Sequence, residues 1–570
     1  MYILGINSVY HESAACLLRD GQVIAAAEEE RFNRVKHGKR PRADNADELP
    51  LHSIAYCVKS EGIDWGQIDY VGYSVNPQKY QQHPPDMFFD GPNWDEAQFL
   101  HKLSLIPEQL RACGFKGEFL WIDHHAAHAA SAFYASPFQR AAVLAIDGIG
   151  EFDTTTVYLG EGNRLECLSS IEYPHSLGFL WESLSMFLGF DIYDAAKVMG
   201  LAGYGTPAKY ATHFQTLVQL MPEGRFQVNN DILRFEHIQY DPPNGYMDGL
   251  ENLFRLDRRT RQQPLTREHQ DIAASLQAVT NEVVLHIVKA LHARTGGDTL
   301  CLAGGVALNC LTNYYALENG PFAQLYVQPA AHDGGTAVGA AYYIWSHLLG
   351  NPDREPMSHA YWGPAFSDAA IEQRLQAYSL RYEGVPNIEE RVARLVNQGD
   401  IVGFFQGSME LGPRALGNRS IVADPRHPKM RDMLNQKVKH REYFRPLAPS
   451  VLHEEAHDWF EMGKETCAAE YMLMTYPTRP QVKDRIPAVV HVDGSSRIQT
   501  VRQEINPRYH KLLSEFYKLS GVPLVLNTSF NDSEPIICTP DDAINTFLKT
   551  GIDHLAIGNF LVSKNSHGSE

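Results

Sequence analysis

Residues 1–32, MYILGINSVYHESAACLLRDGQVIAAAEEERF, read as three strands joined by two turns. Apolar runs flank a polar turn at Asn7 to Glu12, and the Asp20-Gly21 pair is a two-residue hairpin signal. The same design recurs at 141–173, AAVLAIDGIGEFDTTTVYLGEGNRLECLSSIEY, where a strand meets Asp147 and two glycines, a second strand follows, and a turn at Gly160 to Asn163 leads into a third. Two related strand-loop-strand units point to an internal duplication in a mixed α/β fold.

Working outward, HQDIAASLQAVTNEVVLHIVKALHARTG (269–296) places Ile272, Leu276, Val279, Val283, Ile287 and Leu291 at helical spacing, with Gly296 and Gly297 as a left-handed cap. TLCLAGGVALNC then reads as a buried strand, a glycine turn and the start of a helix. The stretch 349–368, LGNPDREPMSHAYWGPAFSD, is rich in proline, glycine and polar residues and is the expected interdomain linker. Beyond it the pattern predicts a helix at IEERVARLVNQG, strands at IVGFFQG, FRPLAPSVL and VPLVLNTSF, and a closing helix at TPDDAINTFLKTG with Thr539 as N-cap and Pro540 in its first turn. At 570 residues the chain exceeds one ordinary core, so at least two domains are expected.

A formal net charge of −18 argues against a nucleic-acid partner, because phosphate neutralisation needs a basic surface. No run of about 18 apolar residues occurs, and the first residues lack the zones of a signal peptide, so no membrane partner and a cytoplasmic location are expected. The eight cysteines, Cys16, Cys57, Cys113, Cys167, Cys301, Cys310, Cys467 and Cys538, form no CxxC pair and read as reduced thiols. Oligomeric state is not legible.

Two constellations carry chemistry. WIDHHAAHAASAF puts His124 and His128 four residues apart in an alanine-rich helix, so both imidazoles leave one face. Asp147 and Asp333, each followed by glycine, are the matching carboxylates. Such a set suits Fe(II), Mn(II) or Zn(II), while the alternative is a pair of capping or core histidines. The glycine stretches at 302–309, 147–151 and 333–335 each offer backbone N–H groups to phosphate, or serve only as tight turns.

In the second half, QGSMELGPRALGNRSIVADPR carries Arg414, Arg419 and Arg426, and VKHREYFRPLAPS adds Lys439, Arg441 and Arg445. Guanidinium groups bind phosphate bidentately, and the glycine and proline around Arg414 suit a tight loop better than a solvated helix face. LVLNTSFNDSEP contributes Asn527, Thr528, Ser529 and Asn531 directly after a strand, where short polar side chains either point at a pocket mouth or merely form an Asx turn, and VHVDGSSRIQTV contributes Arg497 beside a turn with the same two readings.

HESAACLL, EEERFNRVKH, DHHAAHAASAF, AKVMGLAGYG, AGGVALN, HDGGTAVGAA, ELGPRALGNRS, KHREYFRPLAPSVL, DGSSRIQTV and LNTSFN occur in an order that resembles the O-carbamoyltransferases of the NodU and CmcH type, particularly their antibiotic-modifying members. The resemblance covers nearly the whole chain. It implies an N-terminal actin-like ATPase (Kae-like) domain over 1–352 that transfers carbamoyl, and a C-terminal YrdC-like domain over 353–570 that makes carbamoyl adenylate from carbamoyl phosphate and ATP. It also implies His124, His128, Asp147 and Asp333 as ligands of a divalent metal, Fe(II) first with Mg(II) as a further candidate. Gly304, Gly305 and Asn309 would lie beside adenosine. Lys439 and Arg441 match the KxR pair of YrdC-like domains, with Arg414, Arg419, Arg445, Asn527 and Ser529 completing the ATP and carbamoyl phosphate site, and His11 serving the acceptor or the adenylate; Arg497, read from its turn, is a further candidate for the nucleotide. The expected acceptor is a hydroxyl-bearing small molecule, an aminoglycoside such as tobramycin or kanamycin, a reading also drawn from the acidic stretch FFDGPNWDEAQF at 88–99. The competing readings are a different antibiotic or sugar acceptor, such as a cephem, a coumarin sugar or a lipo-oligosaccharide, then an actin-like ATPase or sugar kinase, and a non-catalytic nucleotide-sensing or scaffold protein.

Overall fold

The structure is a computed structural model that describes residues 1–570 apart from 10, 41, 83–94, 238–246, 465 and 565–570. Most of the acidic stretch at 88–99 therefore lies outside the described residues; Asp95 onward forms the cap and first turns of the helix Glu96–Ser104. The contacts divide the chain into two compact units, one of Met1–Glu29, His37–Met357 and Lys464–Thr466, the other of Glu30–Lys36, Ser358–Gly463 and Cys467–Glu570.

The first unit holds two five-stranded sheets. In the first, β1 (Tyr2–Asn7), β2 (Ala14–Arg19) and β3 (Gln22–Glu28) form an antiparallel meander, and β4 (Tyr70–Tyr73) and β5 (Glu118–Trp121) lie parallel to β1 in the order β3-β2-β1-β4-β5. Asp20 and Gly21 both take positive φ at the β2-β3 turn, as that hairpin requires. The second sheet repeats this wiring. There β6 (Arg140–Ile146), β7 (Asp153–Glu161) and β8 (Arg164–Glu172) form the meander. A separate small hairpin comprises β9 (Val218–Leu220) and β10 (Phe226–Val228), after which β11 (Thr299–Ala303) and β12 (Gln324–Val327) run parallel to β6 in the order β12-β11-β6-β7-β8. The duplicated units seen in the sequence thus extend to two whole sheets of equivalent topology, because each meander is completed by two parallel strands that come from far along the chain.

The long predicted helix spans Arg267–Thr295 and buries Ile272, Leu276, Val283, Ile287 and Leu291. Val279 is only half-buried, and the buried face also takes in Asp271, Gln277 and Thr280, polar groups that the apolar periodicity did not mark. No helix among the described residues is long and apolar enough to cross a membrane.

The expected linker differs from its sequence reading in its first half. Arg354 donates to the carbonyls of Phe133 (2.9 Å), Ser136 (2.9 Å), Tyr134 and Phe138, and Met357 N donates to Ala135 O at 2.9 Å. A guanidinium can satisfy several carbonyls at once, so a proline-rich polar stretch becomes an integral part of the first unit.

The second unit is built on an eight-stranded mixed sheet. In chain order its strands are β13 (Glu383–Gly384), β14 (Val402–Phe405), β15 (Arg419–Ala423), β16 (Ala448–Leu452), the separate pair β17 (Thr475–Pro477) and β18 (Ser495–Arg497), then β19 (Gln499–Val501), β20 (Leu524–Ser529), β21 (His554–Ile557) and β22 (Phe560–Ser563). The order across the sheet is β13-β22-β21-β14-β15-β20-β16-β19. The predicted helices appear at Ile388–Gln398, ended by Gly399 in the left-handed region, and at Pro540–Lys549, capped by Thr539 accepting from Asp542 N at 3.2 Å.

Each unit also includes a short stretch remote in sequence. In the second unit Arg31 donates to Gly412 O at 2.7 Å, and Arg34 donates to Pro535 O and Ile536 O. In the first, Lys464 Nζ donates to the carbonyls of Leu317, Gly320 and Phe322 at the C-terminal end of the helix Cys310–Asn319, where a cation is favoured.

Candidate functional sites

In the first unit the helix His124–Phe133 is entirely buried, and its opening N–H is satisfied by a remote carboxylate: His124 N donates to Glu151 Oε1 at 3.0 Å, and the same oxygen accepts from Asn76 N at 2.7 Å. One helical turn brings the His124 and His128 rings to 4.6 Å between centroids, nearly perpendicular. Asp147 follows the last residue of β6, and Asp333 opens a one-turn helix after β12. Their oxygens meet the two imidazoles. Nε2 of His124 lies 3.4 Å from Asp147 Oδ2 and 3.6 Å from Asp333 Oδ1, and Nε2 of His128 lies 3.3 and 3.6 Å from the same two atoms. All four side chains are buried, and one ligand atom from each falls within 4.8 Å of the others, a set that could hold a metal ion.

The hydrogen bonds around this cluster test whether a cation fits. His124 Nδ1 lies 3.1 Å from the Ser74 carbonyl, which can only accept, so Nδ1 carries the hydrogen. In the neutral ring the Nε2 lone pair then faces two carboxylates, and Nε2 has no hydrogen-bond partner. That arrangement is repulsive unless a proton or a metal ion stands between them. In the absence of metal, burial disfavours the imidazolium, but Asp333 and Asp147 outweigh it and hold the His124 pKa well above the ordinary range. Burial pushes Asp147 up, yet the imidazole nitrogens of His124 and His128 close to its Oδ2 hold it well below the usual carboxylate range. Gly305 N donates to Asp147 Oδ1 at 2.9 Å, leaving Oδ2 for the imidazoles. The donor set, two imidazole nitrogens with carboxylate oxygens, fits a divalent metal of the first transition row.

The other expected residues of this unit take definite places. His11 Nδ1 is 3.8 Å from Asp333 Oδ2, and its ring lies 4.6 Å from that of Tyr193. Gly304 has φ of +87°, and a Cβ there would lie 2.1 Å from Ile146 O. Asn309 caps the helix Cys310–Asn319 by accepting from Thr312 N at 3.1 Å, and its amide donates to Gln277 Oε1 at 3.0 Å. The turn 304–309 therefore has a role that its sequence did not signal: it closes tightly over the end of β6 and fixes Asp147. His125, the third histidine, hydrogen-bonds Thr156 Oγ1 at 3.0 Å, and burial lowers its pKa to about 3, so it stays neutral.

Sequence reasoning missed Glu151, Ser74 and Glu182. Glu182 lies on the helix Leu177–Phe187, where burial first, then Asp147 and Asp333, raise its pKa well above the usual carboxylate range. None of the three carries a local motif, since each reaches the cluster from a separate segment.

In the second unit Lys439, 3% exposed, holds the turn that follows β20. Its ammonium donates to Ser529 Oγ (3.1 Å), Asn531 O (2.9 Å), Asn531 Oδ1 (2.7 Å) and the Ser529 carbonyl. Arg441 is anchored through Nε to Asn435 Oδ1 at 2.8 Å. Loss of water and the neighbouring Arg445 and Arg497 lower the Arg441 pKa to about 9, and burial followed by Arg441 lowers that of Lys439. Arg445 is paired to Glu442 at 3.1 Å, and Nε of Arg497, at the end of β18, is buried without a hydrogen-bond partner. Like charges are thus gathered here at a cost that a bound anion would relieve.

Asn527, two residues before Ser529 on β20, donates to Ala415 O, Ser450 Oγ and Gln499 Oε1, which ties it to the loop of Arg414. Its Oδ1 is buried without a partner. Arg419 departs from its expected role as a ligand of ATP or carbamoyl phosphate. It is fully buried on β15 and donates to the carbonyls of Gln406 (2.7 Å), Asn418 (3.0 Å), Pro364 (2.9 Å), Gly407 (3.2 Å) and Cys538 (3.3 Å), with its guanidinium 3.8 Å from the centre of the Phe405 ring. Every edge of the group is committed inside the unit. Arg426 likewise pairs with Asp424 at 2.6 Å.

The family model described as the carbamoyltransferase N-terminus matches residues 2–85 and 93–342, and the model described as the carbamoyltransferase C-terminus matches 393–564. Nodulation protein NolNO of Sinorhizobium fredii is 36% identical, covering 99% of this chain and 80% of its own length. Nodulation protein NolO of Bradyrhizobium diazoefficiens is 39% identical over 78% of this chain and 79% of its own. An uncharacterized protein of Synechocystis is 38% identical over 99% of this chain and 97% of its own. With the two family models covering both charged clusters and relatives of this identity, the chain belongs to the carbamoyltransferase family and is a carbamoyltransferase.

Proposed function

We propose that the protein O-carbamoylates a small molecule in two stages, forming carbamoyl adenylate from carbamoyl phosphate and ATP in a YrdC-like second unit and transferring the carbamoyl group in an actin-like first unit. The observation that carries this reading is the gathering of Lys439, Arg441, Arg445 and Arg497 with a partnerless buried Arg497 Nε, an arrangement that calls for a polyanion. Carbamoyl phosphate and the ATP triphosphate supply one.

In the first stage carbamoyl phosphate and water give carbamate and phosphate. A carbamate oxygen then attacks the α-phosphorus of ATP and pyrophosphate leaves. Arg441, Arg445, Arg497 and Arg414 neutralise the charge that develops on phosphate oxygens, while Lys439 keeps the Ser529–Asn531 turn in place. In the second stage the acceptor oxygen attacks the carbamoyl carbon and AMP departs. His124, His128, Asp147 and Asp333 would hold a divalent metal, with Fe(II) as the favoured ion, and the metal would act there as a Lewis acid toward the departing phosphate. His11, 3.8 Å from Asp333, would take the acceptor proton or orient the adenylate. The acidic balance of the chain, a formal net charge of −18, suits a polycationic acceptor, and an aminoglycoside is the substrate class it favours.

Pyrophosphate release measured with ATP, with and without carbamoyl phosphate, tests the first stage. Release should require carbamoyl phosphate; release indifferent to it would remove the adenylate mechanism. A panel of hydroxylated acceptors followed by mass spectrometry tests the second, and an aminoglycoside should gain one carbamoyl group.

A further inference from the structure

The sequence His332-Asp333-Gly334-Gly335 offers two glycines that suit a phosphate cradle, yet their surroundings assign them another task. The Gly334 N–H donates to His332 Nδ1 at 3.0 Å, so the histidine side chain caps the short helix Asp333–Gly335 that carries a candidate metal ligand. Only glycine fits beneath the ring, since a Cβ at 334 would lie 2.7 Å from His332 Cε1. Because Nδ1 accepts, the ring hydrogen resides on Nε2. That nitrogen lies 3.2 Å from Glu28 Oε1 at the end of β3. Both side chains are buried, Glu28 at 2% and His332 at 7% exposure. The chain of contacts runs from the first sheet through Glu28 and His332 to the turn that aims Asp333. Thr336 Oγ1 pins the same turn by donating to Asp333 O at 2.6 Å.

We propose that Glu28 and His332 form a positioning pair for Asp333, fixing the turn so that its carboxylate stays within reach of His124 and His128. The proposal rests on the metal reading given above. Glu12, Glu28 and His332 also approach one another closely enough to suggest a second cation. The proton on His332 Nε2 already satisfies Glu28, so this trio acts as a support and binds no metal of its own.

The test uses the full-length apoprotein titrated with Co(II), read by calorimetry and by the ligand-field absorption spectrum, with circular dichroism to confirm folding. Wild type should bind one equivalent. His332→Ala and Glu28→Ala should weaken Co(II) binding by about 10- to 100-fold and alter the spectrum. His332→Asn, whose side-chain oxygen can still cap Gly334, should recover part of the loss. Glu28→Gln, which retains an acceptor for Nε2–H, should stay within about threefold of wild type, the scale of losing charge without losing the hydrogen bond. Folded alanine variants that bind Co(II) with wild-type affinity and spectrum would overturn the positioning role alone. A second equivalent in wild type, lost in Glu28→Ala, would overturn it in favour of a two-metal site. A wild-type protein that binds no Co(II) would remove the metal reading and this inference together.

Discussion

The two charged clusters are built on opposite principles. Around His124 and His128 the partners are carboxylates that favour a positive charge on the His124 imidazole, and in the neutral ring a lone pair faces negative oxygen. Around Arg441 the partners are other cations, and each raises the cost of its neighbour's charge. The first arrangement selects a small cation and the second a polyanion. Burial amplifies both preferences by removing the water that would otherwise screen them. A polar environment alone does not define a site; the sign of the uncompensated charge does.

The comparison breaks most decisively by exchanging effects between the clusters. Arg441→Ala should lower carbamoyl-phosphate-dependent pyrophosphate release by about 10²- to 10³-fold, the scale of losing one preorganised charge donor, while His128→Ala should leave that release unchanged and abolish carbamoyl transfer to the acceptor. The reverse pattern would mean that the two roles have been interchanged. Chelation of metal should reproduce the His128→Ala result, and added divalent metal should restore transfer.

Arg419 sharpens the contrast between a cation that binds a ligand and one that binds its own fold. Arg419→Ala should destabilise the protein by about 3 kcal/mol in urea unfolding, because several buried carbonyls lose their donor. The thermal shift produced by pyrophosphate should persist in that variant wherever it remains folded. In Arg497→Ala the shift should disappear; in wild type it should reach a few degrees, which corresponds to about 1 to 3 kcal/mol of ligand stabilisation at saturating concentrations.

The smallest effect concerns pH. Burial alone would raise the Glu534 pKa, but its hydrogen bonds to Lys549 and Thr546 lower it to about 2. Its folded-state value is depressed, so its contribution is fully present above about pH 4.5 and is lost as pH falls toward 2. After solvent screening that contribution is about 1 kcal/mol. Glu534→Gln should therefore lower stability at pH 6 by this amount and make little difference at pH 2, as read by denaturant midpoints.

Much of the molecule was legible in the chain. The turn at Asp20-Gly21, the helix ending at Gly296, the cap at Thr539 and the four-residue spacing of His124 and His128 all follow from local rules, since each depends on neighbours within one or two turns. Arg419 shows where such rules stop. In the sequence it sits among Arg414 and Arg426 in a glycine-rich stretch and looks like another phosphate ligand. Its fate was decided by carbonyls from Pro364 and Cys538, residues that no local pattern links to it. Asn531 was visible as a turn residue, but only Lys439 reaching across to it distinguished it from an ordinary Asx turn.

By itself the chain determined the kinds of chemistry present: imidazoles and carboxylates that suit a metal, guanidinium groups that suit phosphate, and strand-turn patterns that repeat. Tertiary structure alone decided which of these groups converge, which tautomer His124 and His332 adopt, and which cations are consumed by the protein's own backbone. The physical reason is range. Propensity and spacing act over a few residues, whereas the compensation of a buried charge is settled by whatever donor or acceptor another part of the chain brings within about 3 Å.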